Sequence, residues 1–381
     1  YSFKLLPIGA SVQFAGEYSD EEAEDVKYDQ NDPTLFFNRP RWARAIVVAC
    51  GPLANFVTAF LAFVIMFTAF GVIVPKLDQP PSDSLAYEAG VEAGDKLLEI
   101  NDQKIRTAAD YSMIQAFLDP EETINLTIES KTGQEKHFSL QPRTEEKYRL
   151  GISQGISAEN NNVVIEVDPN SNQAEPVLEV GDKILSINGV PFSDQESIAK
   201  EISQAESQKL SLTVLRDGEA IELSMVTTLY NDPVSHGLFF TESKSFGDIL
   251  YQSVHYPWSI VKSTIKGLGM VFTGESKFSE SVTGPVGIVK MFGDVVSDSP
   301  NIGLMVYQLL FYFSLISVAI GFTNLLPIPP LDGHHLLILA IEGIRRKDLP
   351  DKFKHVLTAV GLILILLLAI FVIYFDIRKI I

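Results

Sequence analysis

A carboxylate and two imidazoles, Asp332, His334 and His335, sit together in the stretch NLLPIPPLDGHHLL, residues 324–337. They close an uncharged apolar run that begins at Asn301. Carboxylates and imidazoles are the side chains that hold zinc and similar metals. A carboxylate at membrane depth costs at least about 2.5 kcal/mol on insertion scales. Asp332 therefore needs a polar partner, a cation or water. The histidines are less well placed. Neighbours on a helix point about 100° apart, so the pair does not meet one metal with Asp332 as readily as an i, i+4 pair would. Supporting roles suit them better. Pro327, Pro329 and Pro330 remove backbone donors and exclude a regular helix. Unwound backbone at membrane depth is tolerated only where it lines a cavity or packs within protein, so Asn324 to Asp332 is expected to line a site. The alternative puts Asp332 at the cytoplasmic interface, capping a helix that starts at Gly333.

The second unusual membrane stretch is ACGPLANF, residues 49–56. Gly51-Pro52 allows a kink and close helix packing. Asn55 places an amide inside an apolar run, where it needs a hydrogen-bond partner. It either joins helices or faces the same cavity as Asp332, and the sequence does not separate the two.

Three runs carry no charge: Ile46 to Val74, Asn301 to Leu331 and Val356 to Phe375. Each exceeds the roughly 18–20 residues that cross a bilayer. Only 20% of the 381 residues are charged, below the about 25% of soluble domains. The chain reads as a polytopic helical membrane protein. Arg39, Arg41 and Arg44 precede the first run, and IRRKDLPDKFK follows the second, so both flanks are expected on the cytoplasmic side. The intervening segment and the C-terminus then lie on the opposite side.

The net charge of −18 is concentrated between Pro75 and Tyr230, with 28 Asp/Glu against 13 Lys/Arg. That excludes nucleic acid and disfavours anionic lipid as partners. The single cysteine, Cys50, allows no disulfide framework. Residues 245–290 read as an amphipathic interfacial helix carrying Tyr256 and Trp258, then a Gly-Pro-Val-Gly turn and a short helix. Residues 2–16 suit a short β-hairpin or re-entrant loop. The opening at Tyr1, without Met or leader, raises the expectation that upstream sequence is missing.

The acidic segment contains a repeat. EAGDKLLEINDQKI (92–105) aligns with EVGDKILSINGVPF (179–192) at an offset of 87 residues. Each copy has a Gly-Asp turn, an alternating strand and an Asn-Asp or Asn-Gly turn, the signature of a hairpin. A helical stretch follows (108–118; 195–205), then two further strands. The order makes a small α+β sandwich.

YEAGVEAGDKLLEINDQKI resembles bacterial PDZ domains in their circularly permuted form; the second copy matches from Gly181 onward. The resemblance implies strand addition of an extended peptide at a sheet edge, as opposed to a repeat that only fills space. With GPLAN at 51–55 and NLLPIPPLDGHH at 324–335, the whole chain resembles the site-2 protease family of intramembrane zinc metalloproteases, in its bacterial regulator of sigma-E protease branch. The fold class so implied is mixed: a polytopic helical membrane protein with two tandem α+β PDZ-like domains and a short N-terminal re-entrant β-hairpin. The segments are 1–42, loop and hairpin; 43–75, first span; 76–148 and 149–230, the repeats; 231–300, linker; 301–343, second span; 344–354, basic loop; and 355–378, last span.

Residue by residue, the resemblance makes Asp332 the carboxylate ligand of a catalytic Zn2+. Asn324, Pro327 and Pro329 would shape the substrate groove, and Asn55 would face the active site. Leu5 to Gln13, with Gly9, Ala10, Ser11 and Val12 at its centre, would hold an unwound substrate as an added strand, exposing carbonyls that a helix hides. The implied substrates are single-span membrane proteins already trimmed outside the membrane, anti-sigma factors and signal-peptide remnants, with the PDZ pair as a size filter. The implied location is the bacterial inner membrane, in contact with lipid, with the repeats and C-terminus periplasmic. The family also requires HExxH on an earlier span, and none of the six histidines fits it. Position 334 is His where the family commonly has Gly. Either an upstream span carries HExxH, or the chain is a pseudoprotease or a non-catalytic PDZ scaffold.

Overall fold

A computed structural model of the chain describes residues 35–119, 121–154, 162–168, 174, 176–193, 201–202, 209–274, 283–299 and 301–380. The hairpin expected over residues 2–16, with Gly9, Ala10, Ser11 and Val12, lies outside them, as does most of the helix expected at 195–205. The described helices are α1 (Arg41–Phe70), α2 (Leu85–Ala89), α3 (Ala108–Gln115), α4 (Phe246–Thr273), α5 (Pro285–Asp298), α6 (Ile302–Leu325), α7 (Asp332–Arg345) and α8 (Asp351–Ile380). Three are long and apolar enough to cross a membrane: Arg41–Phe70, Ile302–Leu325 and Lys352–Lys379. The chain divides into two compact units, one of residues 1–75, 104–116 and 240–381, the other of 76–103 and 117–239.

The first unit is helical. α1 is 30 residues long, about 45 Å at 1.5 Å per residue, against a hydrocarbon core of about 30 Å. Its buried residues Ala59, Ala62, Phe63, Met66 and Phe67 follow helical spacing and form one face. That face meets α4 and α6: Tyr256 packs on Phe63 and Phe67, with ring centroids at 5.2 and 5.6 Å. Tyr256 is thus half-buried and packed against the core, whereas its neighbour Trp258 is exposed. α1 ends at Gly71, whose φ of +84° suits glycine. The β-branched Val72, Ile73 and Val74 then enter a strand, Val72–Leu77, although the uncharged run had placed the first span out to residue 75.

α5 begins at the Gly-Pro-Val-Gly turn, with Pro285 at its first position. Its free N–H groups are capped from α8: Asp376 accepts from Gly284 N at 3.0 Å and Gly287 N at 2.9 Å. A Cβ on Gly284 would collide with Val372 and Asp376.

The second unit is antiparallel sheet. In the first copy, Lys96–Ile100, Ile124–Glu129 and Glu135–Leu140 pair in that order. In the second, Lys183–Ile187, Lys209–Arg216 and Glu219–Val226 do the same. Alternate residues of the central strands point inward, Leu126 and Ile128 in one copy, Leu212 and Val214 in the other, while on the strand before each a register shift puts the buried pair three apart, Leu97 with Ile100 and Ile184 with Ile187. The expected tight turns have positive φ at both centres, Asn101 and Asp102, Asn188 and Gly189. Each Asn side chain accepts from the next strand, Asn101 from Asn125 N and Asn188 from Ser211 N.

Each copy also has a leading strand that the pattern did not reveal. Leu77 exchanges bonds with Gly94 and Asp95, and Val164 does so with Gly181 and Asp182. A further antiparallel pair joins Thr144–Arg149 to Thr228–Pro233 in register, Arg149 opposite Thr228.

Candidate functional site

The site is built where α6 stops. Its last helical residue is Leu325, so Asn324 is still helical and half-buried, and the unwound stretch starts at Leu326. The segment expected as the second span over 301–343 is two helices separated by the proline turn, where the prolines had been expected to exclude a regular helix. The Pro329-Pro330 bond is cis, and Leu331 N donates to Ile328 O at 2.9 Å. Pro327 is exposed and Pro329 half-buried.

Asp332 is the first residue of α7, and the N-cap position belongs to Leu331 without a side-chain cap. A carboxylate in a first turn is favoured by the helix dipole, yet Asp332 is aimed at α1. The one atom within van der Waals reach of a Cβ built on Gly51 is Asp332 Oδ2, at 3.4 Å. The two motifs singled out in the sequence thus meet, with the LDG carboxylate on the GPLAN glycine. Asn55 lies one turn beyond Gly51 on the same α1 face and is half-buried.

Three glycines make this approach possible, and the sequence reading passed over them. A Cβ on Gly333 would overlap the carbonyls of Leu325 and Leu326, so α7 can fold back against the end of α6. A Cβ on Gly321 would come within 3.1 Å of Pro52 O and the Phe56 ring, which sets α6 against the GPLAN turn. A Cβ on Gly361 would overlap Pro329 O, so the last span packs on the proline turn. Their only signal was glycine inside an apolar helical pattern.

The two histidines diverge, as helical geometry requires. His335 is exposed and His334 is buried, with ring centroids 5.4 Å apart. The His334 Nε2 has no hydrogen-bond partner among the described residues.

The other end of α7 is pinned by charge. Glu342, 1% exposed, takes Lys354 Nζ at 2.7 Å, Arg44 at 3.7 Å and the Leu349 N–H at 2.9 Å. Breaking a buried pair of this kind costs about 3–5 kcal/mol. Arg41 adds a bond to Asp348 at 2.7 Å. These contacts tie α1, α7 and α8 together and fix where Asp332 points.

No group of three or more His, Cys, Asp or Glu among the described residues could hold a metal ion. Asp332 provides one oxygen donor group, and the described residues alone do not form a zinc site.

Against known proteins, the profile of Peptidase family M50 matches residues 1–368. The regulator of sigma-E protease RseP of Escherichia coli (strain K12) is 26% identical over 97% of this chain and 84% of its own length. A Ralstonia nicotianae protein that carries a zinc metalloprotease name, RSc1411, is 25% identical over 98% of this chain and 86% of its own length. The HtrA3 PDZ domain bound to a phage-derived ligand matches 23% of this chain and 90% of its own at 25% identity, with a TM-score of 0.19.

Proposed function

The chain belongs to Peptidase family M50, and on that premise we propose that it acts as an intramembrane metalloprotease of the regulator of sigma-E protease type. The observation that carries the reading is the Asp332 carboxylate against Gly51, at the break in an apolar helix pair. That is where the family resemblance puts a metal-binding carboxylate, and the geometry gives it a rigid support. A zinc ion with Asp332 as one of its ligands would polarise a scissile carbonyl and lower the pKa of its water. The residues of this chain do the rest. Asp332 holds its carboxyl group beside Gly51. The proline turn keeps backbone unwound beside it, with Asn324, Pro327 and Pro329 shaping a groove. Asn55 offers an amide one turn from Gly51.

The substrate in this reading is the transmembrane segment of a single-span protein already trimmed outside the membrane, such as an anti-sigma factor. The two repeats act as a PDZ-like size filter on the periplasmic side of a bacterial inner membrane. Residues 5–13 hold the opened segment as an added strand.

The test uses the full-length protein in detergent and a single-span reporter lacking its outer domain. Asp332→Asn is expected to lower cleavage at least about 100-fold, near 2.7 kcal/mol of transition-state stabilisation, with unchanged thermal unfolding. Wild-type rates in that variant overturn the reading. With HExxH supplied by an upstream span, the complete protein should carry about one zinc per chain, and Asp332→Asn less. Removing the second repeat should speed cleavage of an untrimmed reporter, and an unchanged rate rejects the filter.

A further inference from the structure

An open strand edge is a template for another strand, whether from a partner or from the same chain. The strand Val72–Leu77 presents such an edge just after α1, and the edge is already taken. Its neighbour is Phe240–Ser243, the segment that leads into α4. Beyond the end of the edge strand, Asp78 N donates to Phe239 O at 2.8 Å. At its start, the Glu242 side chain covers Gly71 so closely that a Cβ there would overlap it. The near end of one strand thus meets the far end of the other, and the added strand runs antiparallel.

The added strand also has a side-chain anchor. Phe240 packs edge-on against Tyr111 of α3, with centroids at 4.8 Å. α3 is in turn fastened to α4. Asp110, fully buried, accepts from Lys262 Nζ at 2.5 Å and from the N–H groups of Arg106 and Thr107 at 3.1 Å. Thr107 Oγ1 donates to Ser259 Oγ at 3.0 Å, and Gln252 Nε2 donates to Arg106 O at 3.0 Å. One continuous segment, 239–262, therefore fills the edge and holds the helix across from it. The filling is incomplete. A cavity of about 400 Å³ remains at the Gly71 end, lined by Phe67, Phe70, Ala108, Tyr256 and Tyr307.

We propose that residues 239–243 are an intramolecular ligand of the strand edge at Val72–Leu77, and that an extended peptide reaches this edge only by displacing them. A tethered segment acts at an effective concentration of the order of millimolar. A free peptide of equal intrinsic affinity then binds more weakly, by the fraction of time the edge is open. The cavity beside Gly71 gives such a peptide a foothold. The inference rests on strand pairing and not on the protease reading, and its test reads peptide binding rather than cleavage.

The probe is a fluorescein-labelled synthetic peptide of residues 237–244, GLFFTESK, added to the full chain in detergent micelles. Thr241→Pro removes a strand N–H and should release the native segment. Anisotropy should show binding at least about tenfold tighter for Thr241→Pro than for wild type. Hydrogen exchange should show residues 72–77 protected in wild type, exposed in the variant and protected again by peptide. If Thr241→Pro does not fold, Phe240→Ser, which removes the anchor, takes its place with the same expectation. Equal peptide affinity in wild type and variant overturns the proposal. So does protection of residues 72–77 that the substitution leaves unchanged, or failure of the peptide to bind a variant whose edge has opened.

Discussion

Asp95 and Asp182 occupy the same place in the two repeats, each buried behind a positive-φ glycine and each accepting a backbone N–H three residues before it. Only Asp182 carries a guanidinium. Arg216 reaches both its oxygens at 2.7 Å and also bonds Glu179 and Val177 O. The second copy is locked from within. Among the described residues, no cation reaches Asp95. The ion pair of the first copy is on its helix and points elsewhere: Asp110 of α3 to Lys262 of α4, and α3 belongs to the helical unit. The same local plan is thus held in two ways, by Arg216 within the second copy and by Lys262 at the helix that follows the first.

The sharpest way to break the contrast is Arg216→Met. It leaves a buried carboxylate with only its backbone donor, a loss of about 3 kcal/mol. Hydrogen exchange should rise across residues 176–226 and stay unchanged at 106–116. Lys262→Met should do the reverse. Two backbone donors, Arg106 N and Thr107 N, remain on Asp110, so about 2 kcal/mol is expected, seen as faster exchange at 106–116 and 240–243 with 209–226 unaffected. Equal loosening of both regions by either variant would end the distinction.

Smaller effects sharpen it. Gly94→Ala and Gly181→Ala put a Cβ on residues at φ +90° and +99°, for about 1 kcal/mol each. At Gly94 the end of the Lys131 side chain must also move, so unfolding temperature should fall slightly further there. The mildest probe is acid. Burial acts to raise the Asp182 pKa, but hydrogen bonds from Arg216 and Glu179 N outweigh it and hold it below the ordinary carboxylate value. A depressed pKa contributes stability above the unfolded value of about 3.9, lost as pH falls through the folded pKa. Exchange measured below about pH 4 should therefore loosen the second copy in wild type, and much less so in Arg216→Met.

Much of this was legible from residue types. The Gly-Asp and Asn-Gly turns could be read because few residues accept positive φ, and the turn then fixes the hairpin. Asp332 stood out because charge at the end of a membrane-length run is expensive. What could not be read has a common cause: it depends on distant contacts. The leading strand Val72–Leu77 was hidden in the first apolar run, since a buried strand and a span share composition. Tyr256 read as interfacial, because aromatic content does not tell that Phe63 and Phe67 cover it. Gly333 and Gly361 looked like ordinary helix glycines until the carbonyls they approach were in view. The Asp110–Lys262 pair joins residues 152 apart in the chain, beyond any local pattern.

The antiparallel pair of Thr144–Arg149 with Thr228–Pro233 has a consequence for how such a chain arises and how it can be cut. Arg149 and Thr228 stand opposite one another, and facing residues of an antiparallel pair have Cα atoms only about 4.5–5.5 Å apart. Everything between them, the whole second repeat, enters and leaves through one doorway a single turn wide. A duplicated gene segment spliced at that turn would disturb no other strand. The same doorway makes the second repeat a removable cassette: replacing residues 151–226 with a two-residue turn should leave the first repeat and its tie to α4 in place.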